Sequence, residues 1–356
     1  MMEITIGKSV IGYNRPVYFV ADIAANHDGD LERAKMLIHI AKESGADAAK
    51  FQNFKAAKIV SDYGFKNMGG QQSHQSKWKK SVFEVYKDAS VPDIWSYELK
   101  ECCDKEGIEY FSAPYDFESI DWIDQFVNVY KIGSGDIDWI ESLEKIAGKH
   151  KPVLLATGAS TFADVQRAVD AILPINPELV LMQCNTNYTA DDENYKHIHL
   201  RVLETYHKIW PDLILGLSDH TAGHATVLGA VAFGARVIEK HFTDDNNRIG
   251  PDHKFAMNPK TWEEMVKNTR QLESALGSAE KFIAGNEKET CVIQRRCLRA
   301  GRDIKAGEII HRDMIDVLRP AIKGAILPNE IESVIGTRSA KDLKFGVEIR
   351  WTDLVE

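Results

Sequence analysis

Short apolar runs recur along the first 245 residues, and each ends in, or is followed by, polar or charged side chains. The eight runs are Val17–Ala21, Ala48–Gln52, Gly107–Phe111, Val127–Tyr130, Val153–Ala156, Leu179–Gln183, Leu213–Leu217 and Val237–Ile238. Strand-like runs that alternate with helical patterns of about 10–15 residues are typical of βαβ units and a parallel sheet. Eight such units predict an α/β fold, a TIM (β/α)8 barrel, whose active site lies at the carboxyl ends of the strands.

Apolar residues at helical spacing predict five of the intervening helices. These are Leu31–Ser44, Ile94–Lys105, Thr161–Ile172, Thr221–Phe233 and Trp262–Leu276. Asp30 is the expected N-cap of the first helix, which we expect to end at Gly45. The long polar stretch Ala56–Val91 interrupts the rhythm, and we interpret it as an excursion over the active-site rim.

The pattern changes after Gly285, where short apolar runs are separated by glycines. We therefore predict a catalytic barrel at residues 1–285 and a small β-rich domain at residues 286–356. A net charge of -9 argues against a nucleic-acid partner. No apolar stretch approaches the roughly 20 residues of a membrane span, and Met1–Lys8 has no secretory leader. Five cysteines without metal-type spacing indicate reduced thiols in a cytoplasmic protein.

Two late strand ends carry histidines, His220 and His241. Both are expected on the same rim, where neutral imidazoles with carboxylates suit Mn, Zn or Fe rather than Ca. The alternative is that one or both are hydrogen-bonded packing residues. Asp219 is a candidate for orienting His220.

Lys50 and Lys131 end two other strands and point toward the same mouth. Buried lysines are costly unless they meet anions. With the hydroxyls of Ser112, Ser134 and Thr157, they predict a site for a phosphate with a carboxylate. The alternative is that one lysine only pairs with Asp22 or Asp136.

Asp136 is the strongest candidate for acid–base chemistry, although it could instead be a structural partner of Lys131 or of a helix N-terminus. Gly133 and Gly135 flank Ser134 and allow close approach of the backbone to a ligand.

Six motifs follow one another along the chain: Asn26-His27-x-Gly29-Asp30, Gly45–Gln52, Tyr130–Gly135, Ser218–Thr221, Glu239–Thr243 and Gly250–His253. Together they resemble the N-acetylneuraminate (sialic acid) synthase family. Arg319-Pro320, with the later Gly336 and Leu343, is similar to the antifreeze-like (SAF) C-terminal domain of that family. The resemblance covers nearly the whole chain.

The resemblance implies a synthase that condenses phosphoenolpyruvate with an open-chain N-acylated hexosamine to a nine-carbon 2-keto-3-deoxy acid and phosphate. His220 and His241 would hold a divalent metal, Mn or Mg. Phosphoenolpyruvate would lie among Lys50, Gln52, Ser112, Lys131, Ser134 and Thr157.

The same resemblance makes Asp136, Asp22 and Lys131 catalytic and Ser218 substrate-binding. Tyr188 and Asp252 would face the sugar. Arg319 would reach into a partner's barrel in a domain-swapped homodimer. Asp22 and Asp136 stand where the family usually has glutamates, and Thr189 follows Tyr188 where a proline is usual.

Other readings stay open. The acceptor could be a legionaminic- or pseudaminic-type precursor, or a shorter aldose phosphate as in 3-deoxy-octulosonate-type synthases. The C-terminal domain and the histidine pair argue against the shorter acceptor. A non-catalytic sugar-binding barrel is the remaining alternative, and the presence of Lys50, Lys131 and both histidines argues against it.

Overall fold

The computed structural model describes residues 2–69, 75 and 78–356 of the 356-residue chain. The chain divides into two compact units, Met1–Gly277 and Ser278–Glu356. Each unit has its own apolar core.

The first unit is a closed barrel of eight parallel strands, which confirms the predicted fold. An antiparallel hairpin of β1 (Ile4–Ile6) and β2 (Ser9–Ile11) precedes it. The barrel strands are β3 (Tyr18–Asp22), β4 (Ala48–Asn53), β5 (Glu109–Pro114), β6 (Tyr130–Ile132), β7 (Val153–Ala156), β8 (Leu179–Cys184), β9 (Ile214–Asp219) and β10 (Ala235–His241). Neighbours follow chain order, and β10 pairs with β3 to close the ring. Most of the strands extend past the predicted apolar runs, so several of the polar residues are the last residues of their strands.

Helices surround the barrel. They are α1 (Leu31–Glu43), α2 (Ala56–Ile59), α3 (Asp62–Asn67), α4 (Val82–Ala89), α5 (Trp95–Glu106), α6 (Phe117–Ile123), α7 (Ile140–Ala147), α8 (Phe162–Ile172), α9 (Val202–Ile209), α10 (Ala225–Ala232) and α11 (Pro259–Leu276). All five predicted helices are present, and Asp30 caps α1 by accepting from the backbone N–H groups of Glu32 and Arg33. Gly45, at φ +94°, follows the end of α1. The short helices α6, α7 and α9 were not predicted.

The polar stretch between β4 and α5 contains three short helices, α2 to α4. The described part of this stretch is an excursion between a strand and the next long helix, as predicted, but it contains short helices and is not a simple loop. Residues 70–74, 76 and 77, which include the glycine- and glutamine-rich run, lie outside the described residues.

Two apolar layers hold the first unit together. The outer layer lies between strands and helices and contains the alternate strand residues Phe19, Phe51, Tyr130 and Leu155. The inner layer fills the barrel with the other alternate set, including Val20, Phe111, Leu154, Met182 and Val237. Ile4, Ile6 and Ile11 of the hairpin belong to this inner cluster, so the hairpin closes the amino-terminal end of the barrel.

The second unit is small and β-rich, as predicted. It contains α12 (Lys288–Gln294), the antiparallel pair β11 (Cys297–Ala300) and β12 (Ile315–Leu318), then α13 (Ile331–Val334). A further antiparallel pair, β13 (Arg338–Ser339) and β14 (Leu354–Val355), completes it. Its core includes Leu298, Ile304, Ile310, Ile326 and Ile349.

All five cysteines are free thiols. None of the helices among the described residues has the length and apolarity needed to cross a bilayer. The cytoplasmic location stays a prediction.

Candidate active site

One cavity of about 390 Å³ lies at the carboxyl ends of the barrel strands. Eleven residues that the sequence singled out line it. They are Asp22, Lys50, Gln52, Lys131, Ser134, Asp136, Tyr188, Ser218, His220, His241 and Asp252. Residues from seven different segments of the chain therefore meet at a single site, as expected for the rim of a barrel.

Two predicted residues, Ser112 and Thr157, do not line the cavity. Successive strand side chains point to opposite faces, and Phe111 and Ala156 occupy the inner positions next to them. Ser112 hydrogen-bonds Asn53, and Thr157 donates to the carbonyl O of Met182 at 3.0 Å. Thr157 also accepts from the Tyr206 hydroxyl of α9 at 3.0 Å. The Thr157 hydroxyl therefore ties β7 to α9, whereas the Ser112 hydroxyl links β5 to β4.

Arg319 lies in the second unit, where it is exposed directly after β12. Its expected role in a partner's barrel stays a prediction.

The two lysines are buried and already paired. Lys50 Nζ lies 2.6 Å from Asp22 Oδ2 and 3.8 Å from Glu239 Oε1. Lys131 Nζ donates to Glu239 Oε1 at 3.0 Å. The alternative of pairing with Asp22 thus holds for Lys50, but the partner of Lys131 is Glu239. Two ammonium groups face two carboxylates, so the floor of the cavity is close to electrically balanced.

Glu239 is the residue that the sequence reasoning missed. Burial pushes the pKa of Glu239 up, but the charges of Lys131 and Lys50 outweigh burial and lower it to about 2. Ser218 Oγ donates to Oε1 at 3.1 Å, while Oε2 is buried without a hydrogen-bond partner among the described residues. The available signal was its position two residues before His241, because side chains at i and i+2 of a strand share a face.

The neighbouring carboxylates in turn stabilise the charge of Lys50. Burial disfavours its ammonium, but the carboxylates of Asp22 and Glu239 dominate and raise the pKa of Lys50. Gln52 donates to Asp22 Oδ2 at 3.5 Å, and the backbone N–H of Ala24 donates to Asp22 Oδ1 at 3.0 Å. Asp22 is thereby held against Lys50 from two sides.

The two histidines face each other with 5.2 Å between ring centroids. Burial, with the mutual effect of the two rings, lowers the pKa of His220 to about 3. Burial and the charge of Lys50 lower the pKa of His241 to about 3. Both imidazoles are therefore neutral at neutral pH, which is the form that binds a metal.

The ring nitrogens of the histidines differ in their partners. His220 Nδ1 lies 2.7 Å from the carbonyl O of Asn185, which can only accept, so this nitrogen carries the proton and leaves Nε2 unprotonated. His241 Nδ1 is buried and makes no hydrogen bond within the described part of the chain. It lies 3.8 Å from Asp252 Oδ2. An unpaired nitrogen beside a second neutral imidazole fits a metal ligand pair.

The protein groups alone do not close a metal site. Across residues 2–69, 75 and 78–356, no group of three or more His, Cys, Asp or Glu is arranged to hold a metal ion. The pair therefore fits an open site, in which other ligands would come from substrate or water.

Two further carboxylates have raised pKa values. Burial and the charge of Asp138 raise the pKa of Asp136 to about 6. Burial raises the pKa of Asp252 to about 7, against a hydrogen bond of 3.2 Å from the backbone N–H of Ala25. Groups with pKa values near neutrality can exchange protons at working pH.

The loop after β6 brings Ser134 and Asp136 to the wall. Ser134 Oγ accepts from the backbone N–H of Gly158 at 2.9 Å. A Cβ at Gly158 would lie 2.9 Å from that oxygen and 2.6 Å from Thr186 Cγ2, so a larger residue there would have to displace these side chains.

Aromatic and apolar side chains form the remaining wall. Tyr188 packs on His220 with 4.3 Å between ring centroids. Phe54 contacts Tyr86 and Tyr115, at 5.5 and 5.8 Å between centroids. The excursion supplies Ile59, Gln75, Trp78, Val85, Tyr86 and Ala89, which confirms that it borders the site.

Asp219 makes no hydrogen bond to the ring of His220. Its side chain points away from the cavity and binds Lys240 Nζ, and the carbonyl of Asn185 takes the orienting role instead. Alternation explains the difference, because Ser218 and Glu239 occupy the inner face and Asp219 and Lys240 the outer face.

The chain matches the model of the NeuB family over residues 37–281 and that of the SAF domain over residues 295–355. The N,N'-diacetyllegionaminic acid synthase of Legionella pneumophila is 34% identical over 346 residues, 96% of this chain and 95% of that protein. The N-acetylneuraminate-9-phosphate synthase of Homo sapiens is 31% identical over 340 residues, 95% of this chain and 92% of that protein.

A solved structure agrees with these relatives. The N-acetylneuraminic acid (sialic acid) synthetase from Leptospira borgpetersenii, crystallised with citrate, superposes with a TM-score of 0.71 at 28% identity. The match covers 81% of this chain and 95% of that one.

Proposed function

The chain belongs to the NeuB family, and we propose that it joins phosphoenolpyruvate to the open-chain aldehyde of an N-acylated hexosamine. The products are a nine-carbon 2-keto-3-deoxy acid of the sialic-acid type and phosphate. The observation that carries the proposal is the cavity floor, where two buried lysines lie beside two neutral histidines. The names of the relatives support the same reaction class.

Lys50 and Lys131 bind the phosphate and carboxylate of phosphoenolpyruvate. Each lysine already faces a carboxylate, so the substrate anion replaces Glu239 or Asp22 as a hydrogen-bond acceptor. Charge-assisted hydrogen bonds of the same kind then form between the ammonium groups and the substrate oxygens. Gln52, Ser134 and Ser218 border the same region.

The reaction joins C3 of phosphoenolpyruvate to the aldehyde carbon, adds the oxygen of one water molecule and releases phosphate. Asp136 suits the handling of the proton of that water. Its pKa of about 6 leaves it ionised at neutral pH and still basic enough to accept a proton. Asp22 and Lys131 complete the catalytic set.

His220 and His241 would hold a divalent ion, Mn or Mg. Bound there, the ion would polarise a carbonyl oxygen of the substrate. The unpaired His241 Nδ1 and the neutral state of both rings support this assignment.

The acceptor sugar faces Tyr188 and Asp252. Tyr188 packs on His220, and Asp252 Oδ2 lies 3.8 Å from His241 Nδ1, which supports placing the sugar at the histidines. Legionaminic- and pseudaminic-type precursors fit the same reaction. Activity measured with a panel of acceptors distinguishes them from N-acetylmannosamine.

The test is release of phosphate from phosphoenolpyruvate across a panel of acceptors, with Mn²⁺ and with chelator. The panel contains N-acetylmannosamine, its phosphate ester, diacylamino hexoses and a shorter aldose phosphate. We expect acceptor-dependent release with N-acylated hexoses only. Lys131→Met should abolish it, and Lys151→Met, which removes a lysine paired with Asp124 outside the cavity, should not. Release that does not depend on any acceptor would contradict the proposal.

We also propose a domain-swapped homodimer in which Arg319 completes the partner's site. An exposed guanidinium can bridge a hydroxyl or an acyl oxygen while it stays charged. The test combines Arg319→Ala and His241→Ala subunits, each expected to be inactive alone. If Arg319 acts in trans, mixed dimers contain one intact site and recover part of the activity. Mixed dimers without recovery would show that Arg319 does not act across subunits.

A further inference from the structure

A buried ion pair lies directly behind the two histidines, on the outer face of the barrel. Lys240 and Asp219 each have side chains only 1% exposed. Neither residue lines the cavity. The two residues are cross-strand neighbours, because β9 and β10 pair with Asp219 opposite Lys240.

Lys240 contacts both residues that flank His220. Its ammonium donates to the carboxylate of Asp219, which precedes His220, and to the carbonyl O of Thr221, which follows it, at 2.7 Å. Lys240 itself directly precedes His241. One side chain therefore links the backbone on both sides of one histidine to the backbone beside the other.

The carboxylate of Asp219 is fixed in turn. It accepts from the hydroxyls of Thr221 at 2.8 Å and Thr226 at 2.7 Å, and from the backbone N–H of Thr221 at 3.2 Å. Thr226 belongs to α10, so the strand ends are also tied to a helix.

The imidazoles have few anchors of their own. His220 has one ring hydrogen bond, to the carbonyl of Asn185, and His241 Nδ1 has none to any described residue. Because the hydrogen bonds to the rings are few, the spacing of the rings depends on the backbone that carries them and on packing against Tyr188 and Phe255.

We propose that Lys240 is a positioning residue that sets the separation of His220 and His241, through its contacts with Asp219 and Thr221. The proposal rests on the proposed function in so far as the histidines bind a metal. Stability alone is a poor reason for this pair, because apolar side chains in place of a buried ion pair are often as stable or more so.

The test measures the affinity for Mn²⁺ and the separation of the two imidazole rings in a variant that leaves no unpaired buried charge. Lys240→Met alone would strand a buried carboxylate, so it is combined with Asp219→Asn, which keeps an acceptor for Thr226. Lys151→Met is the matched control, because it also removes a lysine bound to an aspartate, Asp124, at 2.8 Å. Binding of Mn²⁺ alone is titrated by electron paramagnetic resonance, and melting temperatures are recorded beside it.

We expect the dissociation constant for Mn²⁺ to rise about 10- to 100-fold in Lys240→Met/Asp219→Asn, the range typical for groups that orient metal ligands. The Lys151→Met control should stay within twofold of wild type. A crystal structure of the double variant should show a ring separation different from 5.2 Å.

An unchanged affinity and an unchanged ring separation in the folded double variant would overturn the positioning role. If the wild type binds no Mn²⁺, the metal assignment of the proposed function fails, and the ring separation in the double variant alone decides on Lys240.

Discussion

Replacing Glu239 with glutamine should destabilise the free protein and strengthen its binding of phosphate. The carboxylate accepts from Lys131 at 3.0 Å and lies 3.8 Å from Lys50. Glutamine keeps the shape and one acceptor oxygen but removes the charge. Lys50 retains Asp22 at 2.6 Å, whereas Lys131 loses the only ion-pair partner it has among the described residues.

The size of the effect follows from the burial of the pair. Removing one partner of a buried ion pair costs about 3–5 kcal/mol. The lower end applies here because the amide still accepts a hydrogen bond and the cavity admits water. A loss of about 3 kcal/mol lowers the melting temperature of a domain this large by roughly 6–12 °C.

Binding of an anion should change in the opposite direction. The free variant holds an uncompensated Lys131 ammonium beside the cavity. A charge-assisted hydrogen bond from it to phosphate contributes about 1.5–3 kcal/mol, which corresponds to roughly 10-fold tighter binding or more.

The assay is thermal unfolding of wild type and Glu239→Gln over a range of inorganic phosphate concentrations. The variant should melt lower without phosphate and show the larger stabilisation with it. Glu118→Gln is the control, because Glu118 pairs with Lys58 at 3.4 Å but is 66% exposed, and exposed pairs contribute about 1 kcal/mol or less. A Glu239→Gln variant that melts with the wild type, or that gains less from phosphate, would refute the account of the charge balance.

Three further predictions concern pH and the cavity wall. The kcat/KM should fall as the pH drops through about 6, because Asp136 must be ionised to accept a proton. Asp138→Asn removes one cause of the raised pKa of Asp136 and should shift this fall in kcat/KM to lower pH. A pH profile that does not shift would argue against Asp136 as the base. Thr157→Val should lower stability by about 2 kcal/mol, because it removes the hydrogen bonds with Met182 and Tyr206, and should leave the KM for phosphoenolpyruvate within twofold in steady-state kinetics. A large rise in KM would return this hydroxyl to the substrate site. Gly158→Ala should reduce activity at least 10-fold, because its Cβ would lie 2.6 Å from a neighbouring side chain, and normal activity would mean that the wall is more yielding than its packing indicates.

The barrel and its rim could be predicted because strand ends carry polar residues at regular intervals. The sequence could not predict which side chains of each strand face the interior of the barrel. Strands of a parallel barrel are apolar on both faces, so the hydrophobic pattern does not distinguish the interior from the layer under the helices. Ser112 and Thr157 were placed in the site for this reason, although each lies one residue away from an inward position.

Because the two faces could not be distinguished, Glu239 was not predicted in the site and Asp219 was predicted to orient His220. Once His241 is taken as inward, Glu239 must share its face and Lys240 must oppose it. The unpredicted helices α6, α7 and α9 are only seven or eight residues long, too short for a clear helical period.

The hairpin of β1 and β2 leaves the barrel closed at its amino-terminal end and open at the carboxyl ends of its strands. With Ile4, Ile6 and Ile11 packed among the inward residues, nothing passes through the amino-terminal end. Molecules that reach the lysines therefore enter and leave at the carboxyl ends of the strands, where the cavity lies. If the sugar sits above phosphoenolpyruvate, it blocks that exit, so the anion must arrive first. The order in which the two substrates bind would then follow from the shape of the barrel.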